Sequence, residues 1–238
     1  MRRGLLLGLL VATACGNGHA SSNAAADLQR AMQRTRAAGS ARVAVVMSNG
    51  LQEDSVEDFA THNAEGTAST LNESVQIRLV DGVEYLKVPK SERAALGSPT
   101  TPWVSVGGPG QPAGAAPIDA LLYGATNVKR TNGTHFAGTI NLLQVVDHIP
   151  PAAREELARH VDLEKGVQSL ARIVGFEPSF VASLDQQGRV VGFALSSTVG
   201  GKVSSITYGV NDFGVKTHIV APPPDEVSPS KSGLGPTV

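Results

Sequence analysis

The chain has 238 residues, 20 Lys and Arg against 21 Asp and Glu, only 4% aromatic residues and a single cysteine. The balanced charge gives no clustered basic footprint for nucleic acid, aromatic content this low does not favour base-stacking platforms, and one cysteine rules out an internal disulfide or a CxxC pattern. About 200 structured residues suffice for one domain with a sizeable core.

Met1-Arg2-Arg3 is followed by an apolar run from Gly4 to Val11 and then by Ala12-Thr13-Ala14-Cys15. A short basic segment, an apolar stretch and small residues before a cut are the parts of a secretory signal. The run is too short for a permanent membrane span, which needs about 20 apolar residues. Small residues directly before the cysteine resemble a bacterial lipobox, although Ala12 stands where that pattern favours Leu. The resemblance implies that residues 1–14 are a signal peptide and that a diacylglycerol is attached to Cys15. An ordinary cleaved signal that happens to contain a cysteine is the alternative. Without residues 1–14, 18 basic side chains face 21 acidic ones. Small polar residues then suit a flexible tether over 15–26, ahead of a domain expected over 27–226.

Residues 24–38 read as a helix with Leu28, Met32 and Thr35 on one stripe, stopped by Gly39. Residues 41–48 are β-branched and apolar, as a strand requires, and a polar loop is expected over 49–55. In "SVQIRLVDGVEYLKVP", residues 74–89, two alternating runs flank Asp81-Gly82, a strong hairpin signal. A two-residue turn opposes Val80 to Val83, Leu79 to Glu84, Ile77 to Leu86 and Val75 to Val88. One face then carries Val75, Ile77, Leu79, Leu86 and Val88 with Glu84 at its rim, and the other carries Gln76, Arg78, Tyr85 and Lys87.

Residues 97–117 read as a Pro- and Gly-rich loop with a short strand at 103–106, and 117–123 as a short helix. A second hairpin is expected over 127–142 through Asn132-Gly133. Helix follows at 141–147 and again over 151–173, which Pro151 suits as a start, with Leu157, Val161, Val167 and Leu170 as its stripe. A third hairpin, 179–198, turns at Asp185 to Gly188 and looks apolar in both phases. A last pair is expected to turn at Asn211 to Gly214, and the Pro- and Ser-rich tail, 227–238, to be disordered. Hairpins throughout, with few helices, indicate an α+β protein with an antiparallel sheet rather than a doubly wound nucleotide fold.

His135-Phe136-Ala137-Gly138-Thr139-Ile140-Asn141-Leu142 resembles the H-Y-x-G-T-V-D-L strand of actinobacterial lipoproteins related to LppX and LprG. Asp185-Gln186-Gln187-Gly188-Arg189 matches their D-x-x-G-R turn, and Asp212-Phe213-Gly214 followed by Ala221-Pro222-Pro223 their closing motif. The match covers roughly 40–225, with Phe136 and Asn141 replacing the usual Tyr and Asp. It implies a LolA-like fold, in which a single strongly curved antiparallel sheet, a half-barrel, has helices covering its concave face. In such proteins the hollow holds acyl chains. The candidate lining is Val75, Ile77, Leu79, Leu86 and Val88, with Phe136, Ile140, Phe193 and Leu195 from other strands; by residue pattern alone the first five are most simply the core of a packed sheet, and it is the resemblance that favours a cavity.

The six histidines are scattered, with no HExxH spacing, and there is no G-x-S-x-G elbow or Walker loop. No catalytic or metal site, and no cofactor, is therefore expected. The functional expectation is a lipid-anchored lipoprotein on the extracytoplasmic side of the cell membrane, binding a lipid or lipidated molecule for carriage or presentation. The alternative is an envelope-stress sensing module of the same fold that binds a protein partner.

Overall fold

The computed structural model describes residues 23–71, 73–94, 100–106, 118–158 and 163–229. Helix α1 (Ala24–Ala37) takes up the expected stripe, burying Leu28, Met32 and Thr35 together with Ala24 and Ala31. It therefore includes residues 24–26, expected in the tether. Gly39, at φ 81°, ends it in a backbone conformation that costs glycine no steric penalty.

The strands are β1 (Ser40–Met47), β2 (Gln52–Asp58), β3 (Asn63–Ser69), β4 (Ser74–Val80), β5 (Val83–Lys87), β6 (Trp103–Val106), β7 (Ala125–Arg130), β8 (His135–Ile140), β9 (Ser179–Leu184), β10 (Val190–Val199), β11 (Lys202–Asn211) and β12 (Val227–Pro229). They form one sheet in the order β12-β6-β5-β4-β3-β2-β1-β11-β10-β9-β8-β7. Every ladder is antiparallel except β12 on β6. The sheet is curved but unclosed, with β12 and β7 as its edges. The expected α+β architecture with one antiparallel, curved sheet is the one observed.

Helices α2 (Ile118–Leu121), α3 (Leu142–His148), α4 (Pro151–Ala158) and α5 (Leu163–Val174) complete the structure. Together with α1 they bury one face of the sheet, here the inner face, around Phe136, Phe180, Phe193, Leu195 and Ile206. Leu157, Val167 and Leu170 join this core, whereas Val161 lies outside the described residues. The continuous core takes residues from β1 and from β7 to β11 but none from β2 to β6. Among the described residues, helical cover thus serves half of the sheet.

The Asp81-Gly82 hairpin forms in the expected register, Val80 opposite Val83, Leu79 opposite Glu84 and Ile77 opposite Leu86. Its turn residues have φ 50° and 77°, the positive values of a type I′ turn. β5 ends at Lys87, so Val75 and Val88 do not pair. The hairpin at 179–198 also forms, but its two apolar phases merge. A register shift between Val190 and Gly192 carries Val190 onto the same buried side as Phe193 and Leu195, while Val181 stays 57% exposed. The amide of Val190 donates instead to the buried Thr35 hydroxyl at 2.8 Å, tying α1 to the sheet.

Three expectations need correction. Residues 52–55, read as loop, belong to β2, whose acidic sequence QEDSVED has no apolar alternation. Residues 215–220, read as a strand, form none; this segment crosses from β1 towards β6, fixed by hydrogen bonds from Ser40, Thr217 and Arg78. Residues 227–229, expected to begin the disordered tail, form β12 beside β6. Residues 230–238, like 1–22 with Cys15, lie outside the described residues.

Candidate functional site: a cavity on the inner face

Where the helical cover ends, a cavity of about 220 Å³ opens against β1, β2, β4, β5 and β11. Register determines its walls, because directly opposed residues in an antiparallel sheet point to one face. Val45 is opposed to Tyr208 on one side and to Glu53 on the other. Four residues along β2, Glu57 follows on the same face, and across β3 come Leu79 and its partner Glu84. The β3 residues of this face are Ala64, Gly66 and Ala68, too small to fill the space above them. Gly66 is required by close approach, since a Cβ there would lie 2.2 Å from the Asp54 carbonyl oxygen. From above, Met32 and Arg36 of α1 and Ile118 and Asp119 of α2 close the cavity.

The walls are apolar through Val43, Val45, Ile77, Leu79 and Ile118, but carboxylates interrupt them. Burial pushes the Glu57 carboxyl up to about 7, helped by the charges of Glu53 and Asp119. Glu84 is pushed to about 7 by burial and by Glu53, and Glu53 is itself raised, chiefly by burial. Asp58, at the same cavity, moves the other way: burial raises it, but the Thr61 and Ala60 amides at 3.1 and 2.9 Å outweigh that and hold it low. Asp119 is paired with Arg36 at 2.9 Å. Tyr208 is 6% exposed, with its ring against Phe193 at 6.4 Å on the core side. Its hydroxyl has no hydrogen-bond partner among the described residues, and burial followed by Glu57 and Glu53 raises its pKa.

Of the residues expected to line a cavity, Ile77 and Leu79 do so. Val75 and Leu86 share the face but stand on the uncovered wing, half-buried. Val88 is buried at 4% exposure beyond the end of β5. Phe136, Ile140, Phe193 and Leu195 are each 1% exposed or less and lie in the packed core, away from the cavity. Glu84 is a cavity wall rather than a rim. Glu53, Glu57 and Tyr208 carried no signal in the sequence, since a polar segment and a tyrosine in a distant strand acquire meaning only when β1 brings them together.

The residues that carry the resemblance make structural contacts. A Cβ at Gly138 would lie 2.6 Å from the Phe180 ring and 2.8 Å from the Thr126 carbonyl oxygen. Asn141 caps α3, accepting the amides of Leu143 and Gln144. Asp185 accepts the Arg189 side chain at 2.7 Å, and the Arg189 guanidinium covers the Phe213 ring at 3.9 Å, so the turn and the closing motif are one contact. Among the described residues no cluster of three His, Cys, Asp or Glu side chains is placed to hold a metal ion, and no helix is long and apolar enough to cross a membrane.

No family model and no curated protein sequence matches the chain. Among solved structures, the lipoprotein LppX of Mycobacterium tuberculosis aligns with 83% of this chain and 98% of its own, at 14% identity and a TM-score of 0.48. LprF of Mycobacterium bovis aligns with 85% of this chain and 98% of its own, at 16% identity and a TM-score of 0.49.

Proposed function

We propose that the protein is a lipid-anchored envelope lipoprotein that takes the apolar chain of a lipid or lipidated molecule into the inner-face cavity and carries or presents it there. The observation that carries this reading is the cavity itself, open at the margin of the helical cover and continuous with a half-buried apolar wing. Its volume of about 220 Å³ exceeds that of an engineered cavity of about 150 Å³ that binds benzene. Room therefore exists for a length of alkyl chain, not for several whole acyl chains.

Each buried methylene contributes about 0.8 kcal/mol. A micromolar complex needs about 8 kcal/mol net, so roughly ten methylenes are the minimum before ordering costs are met. The cavity cannot house them all, and the remainder would lie along Val75 and Leu86 on the wing. Native purification, organic extraction and mass spectrometry test the reading: a stoichiometric lipid is expected, and its repeated absence from folded full-length protein overturns it. The anchor is tested separately by labelling cells with palmitate. Wild type should be labelled and Cys15→Ala should not; equal labelling removes the anchor.

A further inference from the structure

Three carboxylates are out of place in a container for hydrocarbon. Glu53 and Glu57 of β2 and Glu84 of β5 face the cavity, and among the described residues none of the three is in an ion pair. The other charged groups at the cavity are engaged: Asp119 with Arg36, Asp58 with the Ala60 and Thr61 amides, and Arg78 with Glu65 at 2.8 Å. His62 also lines the cavity. Carboxylates removed from water and outside any ion pair are costly, even where one, Glu53, has the Ser55 hydroxyl as a partner, and so is a buried hydroxyl without a hydrogen bond. Tyr208, more than nine-tenths buried, leaves its Oη unpartnered on the cavity side, where Glu57 and Glu53 act on it. One kind of ligand group answers both deficits, a cation with several N–H donors.

We infer that the cavity takes an amphiphile whose polar end is an ammonium group, donating to Glu53, Glu57 and the Tyr208 hydroxyl while its alkyl chain lies against Ile77 and Leu79. This inference rests on the carrier reading and specifies its ligand. An ammonium has three donors and one charge, so it satisfies the hydroxyl and offsets a carboxylate together. A fatty acid entering head first would add a further negative charge to the group. An alcohol would satisfy a hydrogen bond but leave the charge. A bound ammonium favours the ionised form of a carboxyl, so it opposes the upward shift that burial imposes on Glu57.

The test is titration calorimetry of the full chain with dodecylammonium, dodecanol and dodecanoate, each below its aggregation concentration. At pH 8 dodecylammonium should bind at least tenfold more tightly than dodecanol, with dodecanoate weakest. Its affinity should fall about tenfold between pH 8 and pH 6 as carboxylates near 7 protonate, while dodecanol is unaffected. Glu53→Gln with Glu57→Gln should abolish the preference for dodecylammonium over dodecanol. Glu57→Gln alone should narrow that preference several-fold, and serves as the check should the double variant fail to fold. Equal binding of all three probes overturns the ammonium site and leaves the carrier reading standing. Binding of none overturns both. Butylammonium binding as tightly as dodecylammonium overturns the amphiphile, and carriage with it.

Discussion

At the scale of single residues, the most consequential feature is a carboxyl group held against its solvation. The Glu57 pKa is raised by burial from the ordinary 4.5 to about 7. A carboxyl raised in the folded state favours folding most when protonated in both states; that advantage is whole below about 4.5 and is lost as pH rises through 7. The window is worth roughly 3 kcal/mol at most. Glu57→Gln should therefore melt several degrees above wild type at pH 8 and level with it at pH 4.5, as followed by circular dichroism. Asn141 offers a simpler case. Its side chain accepts two amides at the start of α3 and its Nδ2 donates to the Glu177 carboxylate at 3.4 Å. Asn141→Ala should cost about 1 kcal/mol, measured by urea unfolding. Asn141→Asp keeps the cap but loses that donor and sets a second carboxylate beside Glu177, so it should fall between Ala and wild type.

At the scale of elements, turns were legible where a glycine at positive φ stood in a recognisable turn sequence between two alternating runs, and not at Gly200-Gly201, which joins β10 to β11. Gly82 and Gly188, at φ 77° and 72°, mark the two hairpins that the alternation had already suggested. The Asp185–Gly188 turn is further locked by Arg189, which pairs with Asp185 and stacks on Phe213. Arg189→Ala should lower stability by about 1 to 2 kcal/mol, and Arg189→Lys should restore only part of it. An ammonium cannot hold a planar stack on the ring and a forked pair with the carboxylate at once; full rescue by Lys, in chemical denaturation, would show that charge alone matters. β2 was illegible for a definite reason. Its inner-face residues Glu53, Ser55 and Glu57 are polar, so the strand has neither an apolar phase nor a composition different from a loop. The bulge at Val190 was equally hidden, since two apolar phases in one sequence look like a strand buried on both sides.

At the scale of the whole molecule, the proposed function depends on the mismatch between a twelve-stranded sheet and described helices that cover half of it. The covered half is closed by Phe136, Phe180 and Phe193, each 1% exposed. The uncovered half presents small residues on β3 and half-buried aliphatic ones on β4 and β5. Filling the cavity should separate binding from folding: Ile77→Trp should weaken a hydrophobic dye at least tenfold while the melting temperature changes little. Leu195→Ala, in the sealed core, should do the reverse, costing about 2 to 5 kcal/mol without directly altering the cavity.

The sequence by itself determined what depends on neighbours in the chain: the first helix, three hairpins, one register and the class of the fold. Those features arise from alternation, turn stereochemistry and helix ends, which act within a few residues. Only the tertiary structure decided which apolar residues became sealed core and which were left beside open space, because that depends on how far the helices reach across the sheet. It alone brought Glu53 and Tyr208 to either side of Val45, since pairing across β11, β1 and β2 joins segments from opposite ends of the domain.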